Sequence, residues 1–400
     1  MVTGLHIALM FSLACCLYAT KLFLSPVYPL FIVLIGIALL HKASRPGEMS
    51  LPYDCVPLLL FLAYSTVLLV RNGDSAMPTY INLLLGGAAY ILIRSYRYGS
   101  AAFWENCLKA SALVFGLLAA LDTVYRLTHP QHPGLEHVDI VELSEHSSPF
   151  YLYKYGSLMF ADSNTIALIG LLFLFALIAL RRHGRHVSLF WIAAYALLVL
   201  LTLSRAAVLA TVFMLALLFL GRRRHWAIFL APVISIIVLF GLSASQDDSF
   251  LSKIDILERL AFHYAHTPTL LRDLVFGVGI GESIDNLGIY SHILLVTLVF
   301  EFGLTGAFLY VSFLVIVLRN YPLSRWPLGA LLVTSLSYFL YVGGPFFFVP
   351  LAVLVNFERS AAHTATVRSR INPMLARRGS PLRTLGGRDL ARLRGIDHGY

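Results

Sequence analysis

Apolar positions in this chain fall into long unbroken runs separated by short polar stretches, and the alternation continues almost to the C-terminus. Runs of ~17–25 apolar residues are long enough to cross a bilayer as a helix. The pattern predicts about twelve spans, at 5–20, 26–41, 53–70, 79–93, 107–126, 158–180, 187–201, 203–220, 226–244, 289–318, 324–341 and 344–357,. The fold expected is an all-α polytopic membrane protein. The first run lacks a basic leader and a small-residue cleavage site, so it is read as a retained span,.

Most connections between the runs are short, and two are not. The first covers about 127–157 and carries His129, His132, His137 and His146 among Glu136, Asp139, Glu142 and Glu145. The second covers about 245–288 and contains FLSKIDILERLAFHYA, where Ile254, Leu257, Leu260 and Tyr264 follow helical spacing,. Loops beyond ~12–15 residues in compact proteins are commonly functional or disordered. The second is too apolar for a floppy linker and is expected to pack on the membrane domain as a lid. The chain thus divides into a membrane domain, 1–357, and a basic tail, 358–400. The tail is rich in Arg, Gly and Ser and is expected to be disordered,.

Composition agrees with the pattern. Of 400 residues 58% are hydrophobic and 13% charged, where soluble domains average ~25% charged. The net charge of +9 reflects topology and not a nucleic-acid partner. With twelve spans and both ends on one side, that side holds Lys42, Arg45, Arg94, Arg97, Arg181, Arg182, Arg185, Arg222, Arg223, Arg224, Arg319, Arg325 and the tail arginines. The other side holds Lys21, Arg71, Arg126, Lys154, Arg205, Lys253, Arg259 and Arg272. The positive-inside rule then puts both termini in the cytoplasm; the tail suits anionic lipid headgroups. Cys15, Cys16, Cys55 and Cys107 show neither metal spacing nor an extracytoplasmic disulfide framework,.

Four polar stretches then share the extracytoplasmic side: FADSN (160–164), LTLSR (201–205), the loop from Asp255 to Gly281, and YSHILLVTLVFEFGLTG (290–306). Arg205 sits at the edge of a long apolar run, where a guanidinium at mid-bilayer costs ~2.5–3.5 kcal/mol. It either snorkels or acts. Held on a tight hairpin between two spans, beside Ser204, it offers a planar fork suited to a diphosphate. Arg259 could be no more than the partner of Asp255 at i,i+4. With His263 and His266 it makes a polar stripe, cationic if the imidazoles are protonated. Arg272 is a weaker candidate beside Asp273. GVGIG (277–281) lacks the βαβ setting of a nucleotide loop and reads as a re-entrant turn laying the lid backbone against the membrane domain. His292, at the head of a span, is either interfacial or a general base for a hydroxyl near neutral pH. Glu301 is expected deep in the membrane, neutral or paired with a bundle residue. Asp162 and Asn164 are N-cap residue types. The loop histidines show no convincing zinc pattern, so no metal is expected.

Taken together, FADSN, SRAAVLA, Arg259 followed eighteen residues later by G-V-G, His292 and E-F-G-L-T-G resemble, in that order, the superfamily of bacterial O-antigen polymerases and O-antigen ligases. The resemblance covers about Phe160–Gly306. His263 stands where the family often has an aromatic residue, and Ile293 where it usually has Asn after the histidine. The resemblance implies a membrane-embedded, inverting, metal-independent glycosyltransferase of the inner membrane, with the helical loop between spans nine and ten facing the periplasm. Its donor would be a glycan on undecaprenyl diphosphate. Arg205 and Arg259 would hold the diphosphate, His292 would be the base, and Asn164, Asp162, Ser204, His263 and Arg272 would contact substrate. Polymerisation of repeat units for O-antigen or another exopolysaccharide is preferred over ligation to the lipid A core of lipopolysaccharide; a flippase or transporter is a third reading. A chain-length regulator or flippase would be the fitting protein partner.

Overall fold

A computed structural model describes residues 4–19, 22–45, 50–72, 77–96, 99–130, 153–154, 156–160, 163–219, 248–288, 293–335 and 343–377. Fourteen α-helices and one 3-10 turn account for the described elements, and no strand is present among them. In order these are α1 (Gly4–Ala14), α2 (Val27–Ala43), α3 (Val56–Asn72), α4 (Met77–Ser95), α5 (Ala101–Thr128), α6 (Ser163–Arg182), α7 (Leu189–Leu201), α8 (Arg205–Phe219), α9 (Asp248–His266), α10 (Leu270–Phe276), α11 (Ser283–Leu287), α12 (Leu294–Asn320), α13 (Arg325–Thr334) and α14 (Pro345–Arg377). Four are long and apolar enough to cross a membrane: Tyr53–Arg71, Ala101–Thr128, Ser163–Arg182 and Leu294–Asn320. This is a helical protein with membrane-spanning character. Each apolar run except 226–244, which lies outside the described residues, coincides with a helix, though several of these are short. α1, at 11 residues, extends only about 16 Å.

The bundle is organised around α6. Its apolar residues occur on every side, and a helix hydrophobic all round must be buried; 89% of its apolar window is inside the protein. α7, α13, α14, α5 and α8 pack around it, while α14 also lies along α4 and α5, and α3 along α12. α14 overturns one expectation. It continues to Arg377, so residues 358–377, expected to be disordered, are helical. That stretch contains no glycine and several good helix formers,. Glu358 anchors its start by accepting from the Leu323 and Ser324 amides (2.9 and 2.7 Å).

Polar contacts define the two ends of the bundle. At one end Arg94, closing α4, donates to both Asp54 oxygens (2.8 and 3.1 Å), to Asn356 and to Tyr321 (2.7 Å). Arg94 and Asp54 are almost completely buried. Close by, Arg185 stacks over Phe357 (5.2 Å), and Lys109 near the start of α5 donates to the His186 carbonyl (2.8 Å). The starts of α3, α5 and α7 and the ends of α4, α6 and α12 therefore share this end. The opposite end collects the ends of α3, α5 and α7 and the starts of α6, α8 and α12.

Candidate active site at one end of the bundle

Thr202–Ser204 join α7 to α8 in a tight turn, with Leu203 in the left-handed region (φ 58°). Arg205 is the first residue of α8 and is exposed; Ser204 beside it is buried. The turn is fixed from two directions. Ser163, opening α6, donates to the Thr202 carbonyl (2.7 Å), and Arg126 of α5 reaches the Leu201 carbonyl (3.5 Å). Arg126 is fully buried and paired with Asp122 (2.9 Å), which is equally buried. The second Asp122 oxygen accepts from Ser157 Oγ and the Leu158 and Met159 amides (2.7, 2.6 and 3.3 Å). One buried ion pair thus holds both the approach to α6 and the hairpin that carries Arg205. Asn164 lies half-buried in the first turn of α6. Asp162 and His292 lie outside the described residues.

The loop that follows consists of α9, α10 and α11, and it is seated on a break in α12. Gly303 adopts φ 65°, ψ 179° inside α12, a region essentially confined to glycine. At the break Val278 donates to the Phe300 carbonyl (2.9 Å) and Gly279 to the Glu301 carbonyl (3.1 Å). The Glu301 side chain is fully buried and accepts from the Gly281 amide (2.9 Å) and from Ser283 Oγ. Its partners therefore come from the loop and not from another bundle helix. Arg71 and Tyr64 of α3 clamp the other side: Arg71 faces Asp273 (3.9 Å) and the Gly277 carbonyl (3.4 Å), and Tyr64 donates to the Phe276 carbonyl (2.6 Å). Asp273 also accepts from Arg272 (3.0 Å) and Thr269 (2.6 Å). Arg272 is thereby engaged in holding the loop together.

Between α9 and α11 lies an open cleft of about 610 Å3 lined by Asp255, Glu258, Arg259, Phe262, His263, His266, Thr267, Asn286 and Leu287. Arg259 donates to Asp255 (2.8 Å) and to the Leu287 carbonyl (2.9 Å). The hydrogen bond and charge of Asp255 raise the Arg259 pKa above its ordinary value, so the group remains a cation. The carboxylates of Asp255 and Glu258 line the same cleft as this guanidinium. His266 Nδ1 donates to the Phe262 carbonyl (2.9 Å) and its ring stacks on Phe262 (centroids 4.1 Å apart). His263 packs edge-on against Phe300 (5.1 Å), and its Nε2 is buried with no hydrogen-bond partner among the described residues.

The structure therefore brings Arg259 and His263 into one cleft, while Arg205, Ser204 and Asn164 gather at the hairpin. Both groups lie at the same end of the bundle, and the described lining of the cleft does not include Arg205 or Arg272. Sequence reasoning missed Asp122, Arg126, Ser283 and Tyr64. The Asp122–Arg126 pair carried a readable signal, opposite charges at i,i+4 in an apolar span. Ser283 carried none. No group of metal-binding side chains occurs among the described residues. Compared with known proteins, the chain matches no family model and no curated sequence.

Proposed function

We propose that this chain is an inverting, metal-independent glycosyltransferase of a bacterial inner membrane. It polymerises undecaprenyl-diphosphate-linked oligosaccharide units at the periplasmic face. In this reading the chain crosses the membrane about twelve times, with both termini in the cytoplasm. Arg205, at the positive end of the α8 dipole, and Arg259, at the edge of the loop cleft, hold the diphosphate and take up charge as it leaves. His292 accepts the proton of the acceptor hydroxyl while that oxygen attacks the anomeric carbon. Ser204, next to Arg205, and Asn164, next to the Ser163 that bonds the hairpin, contact the donor; Asp162, outside the described residues, is assigned the same role from its place in the sequence. The cleft presents carboxylates, the Asn286 amide and the Phe262 ring, which suit sugar hydroxyls and a sugar face better than a second phosphate. Arg272 supports the loop through Asp273.

The observation that supports this reading is that the Arg205 hairpin and the Arg259 cleft lie at the same end of the bundle. The test uses purified protein in lipid nanodiscs with lipid-linked repeat units, chelator and no lipid A core. Chain lengthening by the wild type, and its loss in Arg205→Ala, Arg259→Ala and His292→Ala, is the expected result. Arg205→Lys should recover only part of the rate, since a point charge lacks the guanidinium fork. Absence of lengthening together with transfer to added lipid A core would favour the ligase. Lipid movement without any covalent product would favour a transporter.

A further inference from the structure

The segment Leu270–Ile280 sits between two loop helices, α9 and α11, yet its contacts place it well inside the bundle. Val278 and Gly279 bond the carbonyls of Phe300 and Glu301, six and seven residues into α12. At ~1.5 Å per residue that is about 9–11 Å from the start of the helix. The other side gives an independent measure. Tyr64, which bonds the Phe276 carbonyl, stands eight residues before the end of α3, about 12 Å along it. Helical side chains lean towards the N-terminus, so the Tyr64 hydroxyl lies no nearer that end than its Cα. α3 and α12 each carry an apolar stretch long enough to span a membrane. Both measures put Phe276–Gly279 roughly 10 Å below the ends of the two spans that flank them.

Irregular backbone is tolerated at such depth only where the protein satisfies its polar groups, and here it does. The Phe276 and Gly277 carbonyls accept from Tyr64 and Arg71, and the Val278, Gly279 and Gly281 amides are bonded to α12. The one carboxylate within the segment, Asp273, is buried and bonded to Arg272, Thr267 and Thr269. The outward face of the segment carries two large apolar side chains, Leu271, 77% exposed, and Phe276, 49%, beside the Arg272 guanidinium, which is 54% exposed and paired with Asp273. The Leu271 and Phe276 values match the outward apolar residues of the flanking helices, Val70 (83%) on α3 and Leu304 (49%) on α12. The geometry points to Leu270–Ile280 being a re-entrant membrane element whose Leu271 and Phe276 side chains contact lipid acyl chains near the bilayer rim.

The four native cysteines are all buried, so a nitroxide can be attached selectively to a cysteine introduced in the full-length protein. Leu271→Cys and Phe276→Cys are labelled, with Val70→Cys as the lipid-facing reference and Phe262→Cys, exposed in the cleft, as the aqueous one. Accessibility to oxygen and to a water-soluble nickel chelate is read by power saturation in phosphatidylcholine/phosphatidylglycerol vesicles. Oxygen preference at Leu271 and Phe276, as at Val70, is the expected result. Nickel preference at Leu271, as at Phe262, overturns the inference. Neither outcome depends on the reaction the protein catalyses.

Discussion

Gly277 is where the loop meets the broken helix, and replacing it with alanine tests that seat. Its backbone (φ 79°, ψ 161°) belongs to a region essentially reserved for glycine, and a side chain there costs ~1–3 kcal/mol of strain. A Cβ would stand 2.3 Å from the Glu301 carbonyl oxygen and 2.6 Å from the Gly303 nitrogen. Carbon contacts settle at ~3.5–4.0 Å, so the loop must withdraw by about 1 Å or more. The bonds from Val278 and Gly279 are 2.9 and 3.1 Å long and would pass beyond hydrogen-bonding distance, at ~1 kcal/mol each. The expected cost is therefore ~3–5 kcal/mol of loop docking. Hydrogen exchange of the Val278, Gly279 and Gly281 amides in nanodiscs reads this directly, with protection falling by about 10²–10⁴-fold. Gly184→Ala is the control: its φ is +75° but nothing lies within 4 Å, so it should leave those amides unchanged. Full protection in Gly277→Ala would refute the docked seat.

Other expectations follow from the buried charges. Arg126→Ala strands Asp122 with no counter-charge and should lower stability by ~3–5 kcal/mol, measured by thermal unfolding in detergent; removing both charges with Asp122→Asn/Arg126→Met should recover part of the loss. Arg94→Ala should behave likewise through Asp54, whereas Asn356→Ala, which leaves the ion pair intact, should cost less. Arg259→Ala should hardly change the melting temperature, because its pair with Asp255 is about half exposed on both sides and worth ~0.3–0.5 kcal/mol. Loss of glycan transfer in that variant would then report on substrate and not on folding. Ser283→Ala removes one of two loop donors to Glu301 and should increase exchange at Gly281.

The helices were legible because membrane-spanning segments announce themselves: the runs that became α3, α5, α6 and α12 are predominantly apolar over the length of a span. The hairpin at Arg205 was legible for the same reason, since two runs with a single residue between them have no other way to connect. The break in α12 was not. A glycine within VFEFGLTG is indistinguishable in sequence from one that lets helices pack closely, and only the approach of Gly277 reveals its backbone. For Glu301 the sequence supports an acid that is neutral or paired with a bundle residue; its hydrogen-bond partners lie some twenty residues earlier in the chain, on a loop whose docking no local pattern encodes. On α9 the acidic neighbours were legible too: Asp255 and Glu258 share the cleft with Arg259. The helical stretch after Phe357 was misread because its charge and small residues resemble a disordered tail, while the absence of glycine favours a helix.

The account rests most heavily on Arg205 and Arg259 serving one lipid-linked substrate from the same end of the bundle. The direct measurement is chain lengthening of undecaprenyl-diphosphate-linked repeat units by purified protein in nanodiscs, comparing the wild type with Arg205→Ala and Arg259→Ala. The account predicts product ladders from the wild type and none from either variant, with both variants still folded. Ladders of normal length from either folded variant would contradict it.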